Sequence, residues 1–191
     1  MTSFLYHIAL PEAVFSSPAA SILLPIALGT AVGYSTRPQV NDPEVQALKQ
    51  PPLRPPARVF GPVWTLLYGT MGYAAYLAVG QTTAGLDISW NTKVVSAGLY
   101  TLQLGLNLAW MPLFFGLRRP IEATVDSVAL LGINGYLMSL WLDNPATEAA
   151  GWLMMPYVGW LGFATYLSAG AGYLNDWTFG PSKSTKGTKK Q

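Results

Sequence analysis

Few side chains in this sequence could do bond-making chemistry, and they do not assemble into a reactive set. Glu122 and Asp126 stand one helical turn apart, the spacing of a general acid/base pair. Arg118 and Arg119 precede them, and a helix N-terminus favours negative charge, so both read first as helix-start residues. The single histidine, His7, and the absence of cysteine leave no cluster for a metal or a thiolate nucleophile. What remains is recognition chemistry. Tyr100, Gln103, Asn107, Trp110 and Phe114 recur at steps of three and four, so a helix carries them as one stripe. An amide in hydrocarbon is costly unless satisfied, so Gln103 and Asn107 must face other helices or a cavity. Asn134 reads as an interhelical hydrogen-bonding residue. Trp64 with Tyr68, and Tyr157 with Trp160 and Ala164, repeat the spacing on two further segments. Three such faces could line one flat, aromatic-walled cavity.

The elements that must position these residues are membrane helices. With 51% hydrophobic and 10% charged residues, the chain is too apolar for an ordinary soluble domain, in which roughly a quarter of residues are charged. Apolar runs bounded by prolines and charges predict helices over about 18–36, 60–80, 94–115, 121–142 and 149–175, long enough for a hydrocarbon core of roughly 30 Å. The expected fold is an all-α membrane protein, a bundle of five transmembrane helices forming one domain over 1–176. Gly29 with Gly33, and Gly98 with Gly105 and Ala109, let helices approach closely, within one bundle or across a homodimer. Trp90, Trp141, Trp152 and Trp177 lie near predicted helix ends and suit an interfacial aromatic belt. Residues 37–59, rich in proline, read as a stiff polyproline linker, with a lid over one mouth of the bundle as the alternative.

Charge gives the orientation. Of the 11 Lys and Arg residues, all but Lys93 fall in the loop after the first helix, the turn after the third, or the Lys-rich tail over 177–191. Five crossings put those three on one side, and the positive-inside rule makes that side cytosolic. The tail is then a topology determinant that meets anionic lipid, and no nucleic-acid site is expected. Residues 1–12 carry no Lys or Arg, unlike a basic secretory n-region or an Arg-rich presequence.

The blocks PPLRPPARVFGPVWTLLYGTMGYAAYL, GLYTLQLGLNLAWMPLFFG and PYVGWLGFATYLSAGAGYLND resemble, in order and in register, the translocator protein family, also called the tryptophan-rich sensory protein or peripheral-type benzodiazepine receptor family. The resemblance runs from about Val45 to Asp176. It implies a five-helix bundle, often dimeric, that binds porphyrins, sterols in animal members, or drug-like flat molecules in a pocket opening toward the cytosolic loop. No cofactor is required, with haem or protoporphyrin as a ligand. Trp64, Trp110 and Trp160 match positions the family uses near its ligand, and Asp126 matches an acidic position. Family members occupy the mitochondrial outer membrane, plant secretory membranes and bacterial membranes; the missing presequence favours the first. The resemblance leaves three readings: a receptor or carrier for flat hydrophobic molecules, a porphyrin-degrading enzyme using the same pocket, and a scaffold recruiting partners at the membrane. Two departures stand out. Leu53 and Leu108 occupy positions where many members have tryptophan. The animal sterol pattern on the last helix has Leu167 and Tyr173, but residues 174–178 are LNDWT and supply no basic partner.

Overall fold

In the computed structural model, residues 2–81 and 88–179 are described, and every regular element among them is helical. Two short helices, α1 (Thr2–Ile8) and α2 (Glu12–Phe15), precede the first long one, α3 (Pro18–Ser35). Two single turns follow, α4 (Arg37–Val40) and α5 (Pro43–Gln46), and then α6 (Ala57–Ala75), α7 (Trp90–Met111), α8 (Pro120–Leu142) and α9 (Glu148–Leu174). The five long helices fall where the apolar runs predict them. α6 and α7 each continue into a π-helical turn, Tyr76–Gly80 and Pro112–Gly116. The second has a local cause: Pro112 lacks the N–H that would continue the α-helical ladder, and the wider turn closes through Leu117 N–H donating to the Pro112 carbonyl at 2.8 Å.

By length and composition alone, only α3 and α8 among the described helices are apolar enough to cross a membrane. The other three long helices are diluted by tyrosine, tryptophan, amides, glycine and proline. Most of their strongly polar groups turn inward: Gln103, Asn107 and Tyr157 are buried between helices. Large apolar side chains such as Leu23, Leu66, Val125 and Val128 are exposed instead, as a lipid-facing surface requires.

Close helix contacts explain several glycines and prolines. Pro25 inside α3 cannot donate to the Ser21 carbonyl one turn back, and that carbonyl lies over Gly72 of α6, where a Cβ would sit 2.1 Å from it. The freed acceptor thus marks a close backbone crossing of α3 on α6. Gly29 receives the face of Tyr68, and Gly98 of α7 receives Leu5 of α1. Gly29 and Gly98 therefore serve contacts within one bundle. Gly105 has nothing within 4 Å of where its Cβ would be.

The N-terminal segment is part of the bundle, which its sequence does not announce. Leu5 is 6% exposed and Phe15 is 1% exposed, the latter edge-on to Tyr100. The Leu10 N–H donates to Thr101 Oγ1 at 2.9 Å.

One expectation is overturned here. Trp141 is no belt residue: it is fully buried, and its Nε1 donates to Ser96 Oγ of α7 at 2.9 Å. α7 begins at Trp90, so its first turns overhang the end of α8 and roof the indole, while Thr147 Oγ1 donates to the Trp141 carbonyl and closes the turn beneath it. Trp90, Trp152 and Trp177 are exposed, in keeping with a belt, and Trp177 also lays part of its ring against Gly172.

Residues 37–59, the turn after α7 and the end of α9 meet at one end of the bundle. Arg118, held at a φ of 54°, forks to Asp42 at 3.0 Å and to Glu44. Its Nη1 also reaches the Phe179 carbonyl at 3.5 Å. Asn175 receives the Lys49 N–H at 3.0 Å and donates to the Lys49 carbonyl, and Tyr166 donates to the Pro52 carbonyl at 3.0 Å. Fastened at these points, the segment lies across the bundle mouth as a lid would. Most of the Lys-rich tail lies outside the described residues.

Candidate ligand-binding site

Beneath the lid, α3, α6, α7, α8 and α9 enclose a cavity of about 490 Å³, within the range of small-molecule sites. α6 contributes Phe60, Gly61, Trp64, Thr65 and Tyr68; α7 and its π-turn contribute Asn107, Trp110, Met111, Phe114 and Phe115; α9 contributes Trp160, Leu161, Ala164, Leu167, Ser168 and Ala171. Gly29, Thr30 and Gly33 form the α3 wall, where the missing side chain of Gly33 leaves room. Spacing of three and four residues on continuous helices aims these side chains at one space.

The aromatic walls are organised in pairs. Trp110 and Phe114 stack at 4.8 Å with an interplanar angle of 18°, and Trp64 tilts over Tyr68 at 5.5 Å. Phe60 meets Trp160 edge-on at 6.0 Å. The Trp160 Nε1 is buried and has no hydrogen-bond partner. An unpaired indole N–H is costly to bury, which marks Trp160 as a strained point of the wall.

Asn107 is fixed from two sides. Its Oδ1 accepts from the Tyr68 hydroxyl at 2.6 Å and its Nδ2 donates to the Tyr157 hydroxyl at 3.0 Å. Tyr157 in turn donates to Gln103 Oε1 at 2.8 Å, which also accepts from Asn134 Nδ2 at 3.4 Å. This chain of partners satisfies both amides of the α7 stripe inside the membrane and holds Asn107 rigidly at the inner end of the cavity.

Seven of the nine residues singled out from sequence line the cavity: Trp64, Tyr68, Asn107, Trp110, Phe114, Trp160 and Ala164. Two do not. Tyr157 sits behind the wall, fully buried, with its hydroxyl spent on Asn107 and Gln103. Asp126 is buried in the bundle, one position along α8 from the lining residue Ser127, and its Oδ2 has no partner. Glu122 faces out and pairs with Arg119 at 3.4 Å, so the two carboxylates form no dyad. Phe60 was legible as a backward extension of the Trp64 and Tyr68 stripe by one turn. The lid residues Arg37, Val45, Gln46, Gln50 and Arg54 were not, because the segment is fastened by Arg118, Tyr166 and Asn175, all far along the chain.

No group of three or more His, Asp or Glu residues capable of holding a metal occurs among the described residues, and His7 belongs to α1, which packs on α7 and contributes nothing to the cavity.

Five long helices around a lidded cavity, with their amides turned inward and leucine, valine and isoleucine outward, define an integral membrane protein with an internal chamber. The chain belongs to the TspO/MBR family, whose profile matches residues 21–174. It is similar to a translocator protein homolog of Schizosaccharomyces pombe, 42% identical over 153 residues covering 80% of this chain and 88% of that one. It is also similar to the tryptophan-rich protein TspO of Archaeoglobus fulgidus, 36% identical over 82% of this chain and 95% of that one. The human translocator protein is 40% identical over 121 residues, 63% of this chain and 68% of its own. The family match begins after α1 and α2, so the segment that covers Gly98 lies outside it.

Proposed function

We propose that this protein is a membrane receptor or carrier for a flat hydrophobic molecule, a porphyrin or a ligand of similar shape, held in the chamber beneath the lid. One observation carries the reading: paired aromatic side chains from α6, α7 and α9 converge on a cavity of about 490 Å³ that an interhelical amide closes at its inner end. Apolar walls supply affinity without regard to direction, and the few polar groups set orientation. The lidded end, which gathers Arg37, Lys49, Arg54, Arg58, Arg118 and Arg119, faces the cytosol. The mitochondrial outer membrane is the preferred location and a secretory membrane the second.

The test is a titration of purified protein with protoporphyrin, in the dark and in light, followed by tryptophan fluorescence and porphyrin absorbance. Quenching with the porphyrin conserved supports the receptor. Loss of porphyrin absorbance would mean turnover in the same chamber, and no quenching at all would leave the protein a scaffold.

A further inference from the structure

The chamber has a charge asymmetry that its apolar walls do not require. Arg37 and Arg54 both line it from the lid, and no carboxylate lines it among the described residues. The lid carries two carboxylates of its own, Asp42 and Glu44, but Arg118 holds both of them. Neither Arg37 nor Arg54 has an ion pair among the described residues. At Arg54, partial burial alone lowers the guanidinium pKa, and no acid offsets it. Two cations at the mouth of an apolar chamber, with both lid carboxylates committed to Arg118, form a half-built site.

We infer that Arg37 and Arg54 select a ligand with a carboxylate at one end of a flat apolar body and hold that end at the mouth, beneath the lid. The inference rests on the chamber being a ligand site and names the chemical class it takes. A guanidinium presents a planar fork of donors that matches a carboxylate with two parallel hydrogen bonds. The body of the ligand would then run inward between the Trp64 and Tyr68 pair and the Trp110 and Phe114 pair, toward Asn107. An anionic lipid headgroup shares the carboxylate's chemistry at this depth, so the test must separate the two sources.

Protoporphyrin IX and its dimethyl ester share one ring and differ in charge, and both can be titrated into the protein in nanodiscs of phosphatidylcholine. The wild type is expected to bind the diacid roughly ten-fold more tightly than the ester, the scale of charge-assisted contacts at a partly solvated site. Arg37→Gln with Arg54→Gln should bring the two affinities within about two-fold by weakening the diacid and leaving the ester alone. The thermal midpoint of the ligand-free double variant should match the wild type, because both side chains are exposed and unpaired. Equal affinity of diacid and ester in the wild type overturns the inference while leaving the chamber a ligand site, and so does a preference that survives in the double variant. A preference seen in phosphatidylcholine that vanishes when part of the lipid is phosphatidylserine assigns the arginines to headgroups and overturns their assignment to the ligand. Failure of both porphyrins to bind the wild type defeats the reading of the chamber itself, and the inference with it.

Discussion

At the scale of single residues, two tryptophans that look alike in the sequence do different work. Trp160 has its indole N–H unpaired at a cavity wall, whereas the Trp141 N–H is spent on Ser96 in the core. Trp160→Phe keeps an aromatic face and removes the donor, so porphyrin affinity should fall only a few-fold. Trp160→Ala also removes stacking worth on the order of 0.5 to 1.5 kcal/mol beyond buried area and should weaken binding further. Trp141→Ala should instead destabilise the empty protein by about 3 kcal/mol or more, through a core void and an orphaned Ser96 hydroxyl. Trp152, exposed at the start of α9, supplies the control, and Trp152→Ala should change neither quantity. Affinities and thermal midpoints of the four variants decide the matter: equal affinity losses at Trp160 and Trp152 would reduce the aromatic walls to packing. The sequence supported the Trp160 assignment because the spacing of three and four residues on one helix is a local property. It misassigned Trp141 because nearness to a helix end was taken for nearness to the membrane surface, and only the overhang of a different helix shows otherwise.

At the scale of elements, the five long helices were legible because long apolar runs end at prolines and charges, and helical spans follow from that pattern alone. α1 and α2 were not. Seven and four residues carry too little periodicity to read, and their burial depends on the gap at Gly98 and on the Thr101 hydroxyl, both far along the chain. The lid shows the same limit: its prolines are visible and its fastening is not. That fastening predicts kinetics. Arg118→Gln removes the fork to Asp42 and Glu44, whose members are partly exposed, so each bond contributes little to equilibrium stability. Porphyrin association and dissociation should both quicken, by roughly five-fold, with the equilibrium affinity nearly constant. Stopped-flow quenching measures both rates, and added salt should speed the wild type more than the variant. Unchanged rates would mean that ligand enters by another route.

For the whole molecule, gathering the lid, the α7 to α8 turn and the start of the C-terminal segment at one end is what an odd number of crossings requires. A tag after Gln191 should be accessible from the cytosol and a tag before Thr2 should not; protease protection on intact organelles reads both, and two tags on one side would defeat the orientation. Gly29 and Gly98 are filled by Tyr68 and Leu5, which leaves Gly33 on α3, bordering the chamber, and Gly105, exposed on α7, with no neighbour. If a homodimer forms through α7, Gly105→Leu should lower the cross-linked yield without lowering the thermal midpoint, and an undiminished yield removes α7 from the interface.

The left-handed turn at Asp176 and Trp177 bends the chain back after α9 and seats Phe179 against Phe114, whose other side borders the chamber. The same arginine that fastens the lid reaches the Phe179 carbonyl. Mechanically, the C-terminal segment is a lever with its fulcrum at Arg118. Tension on the chain beyond Phe179, from a partner that grips it or a reporter fused to it, bears on the chamber wall and on the lid's fastening together. A fluorescent fusion placed there would report on a protein whose own chamber wall it had loaded.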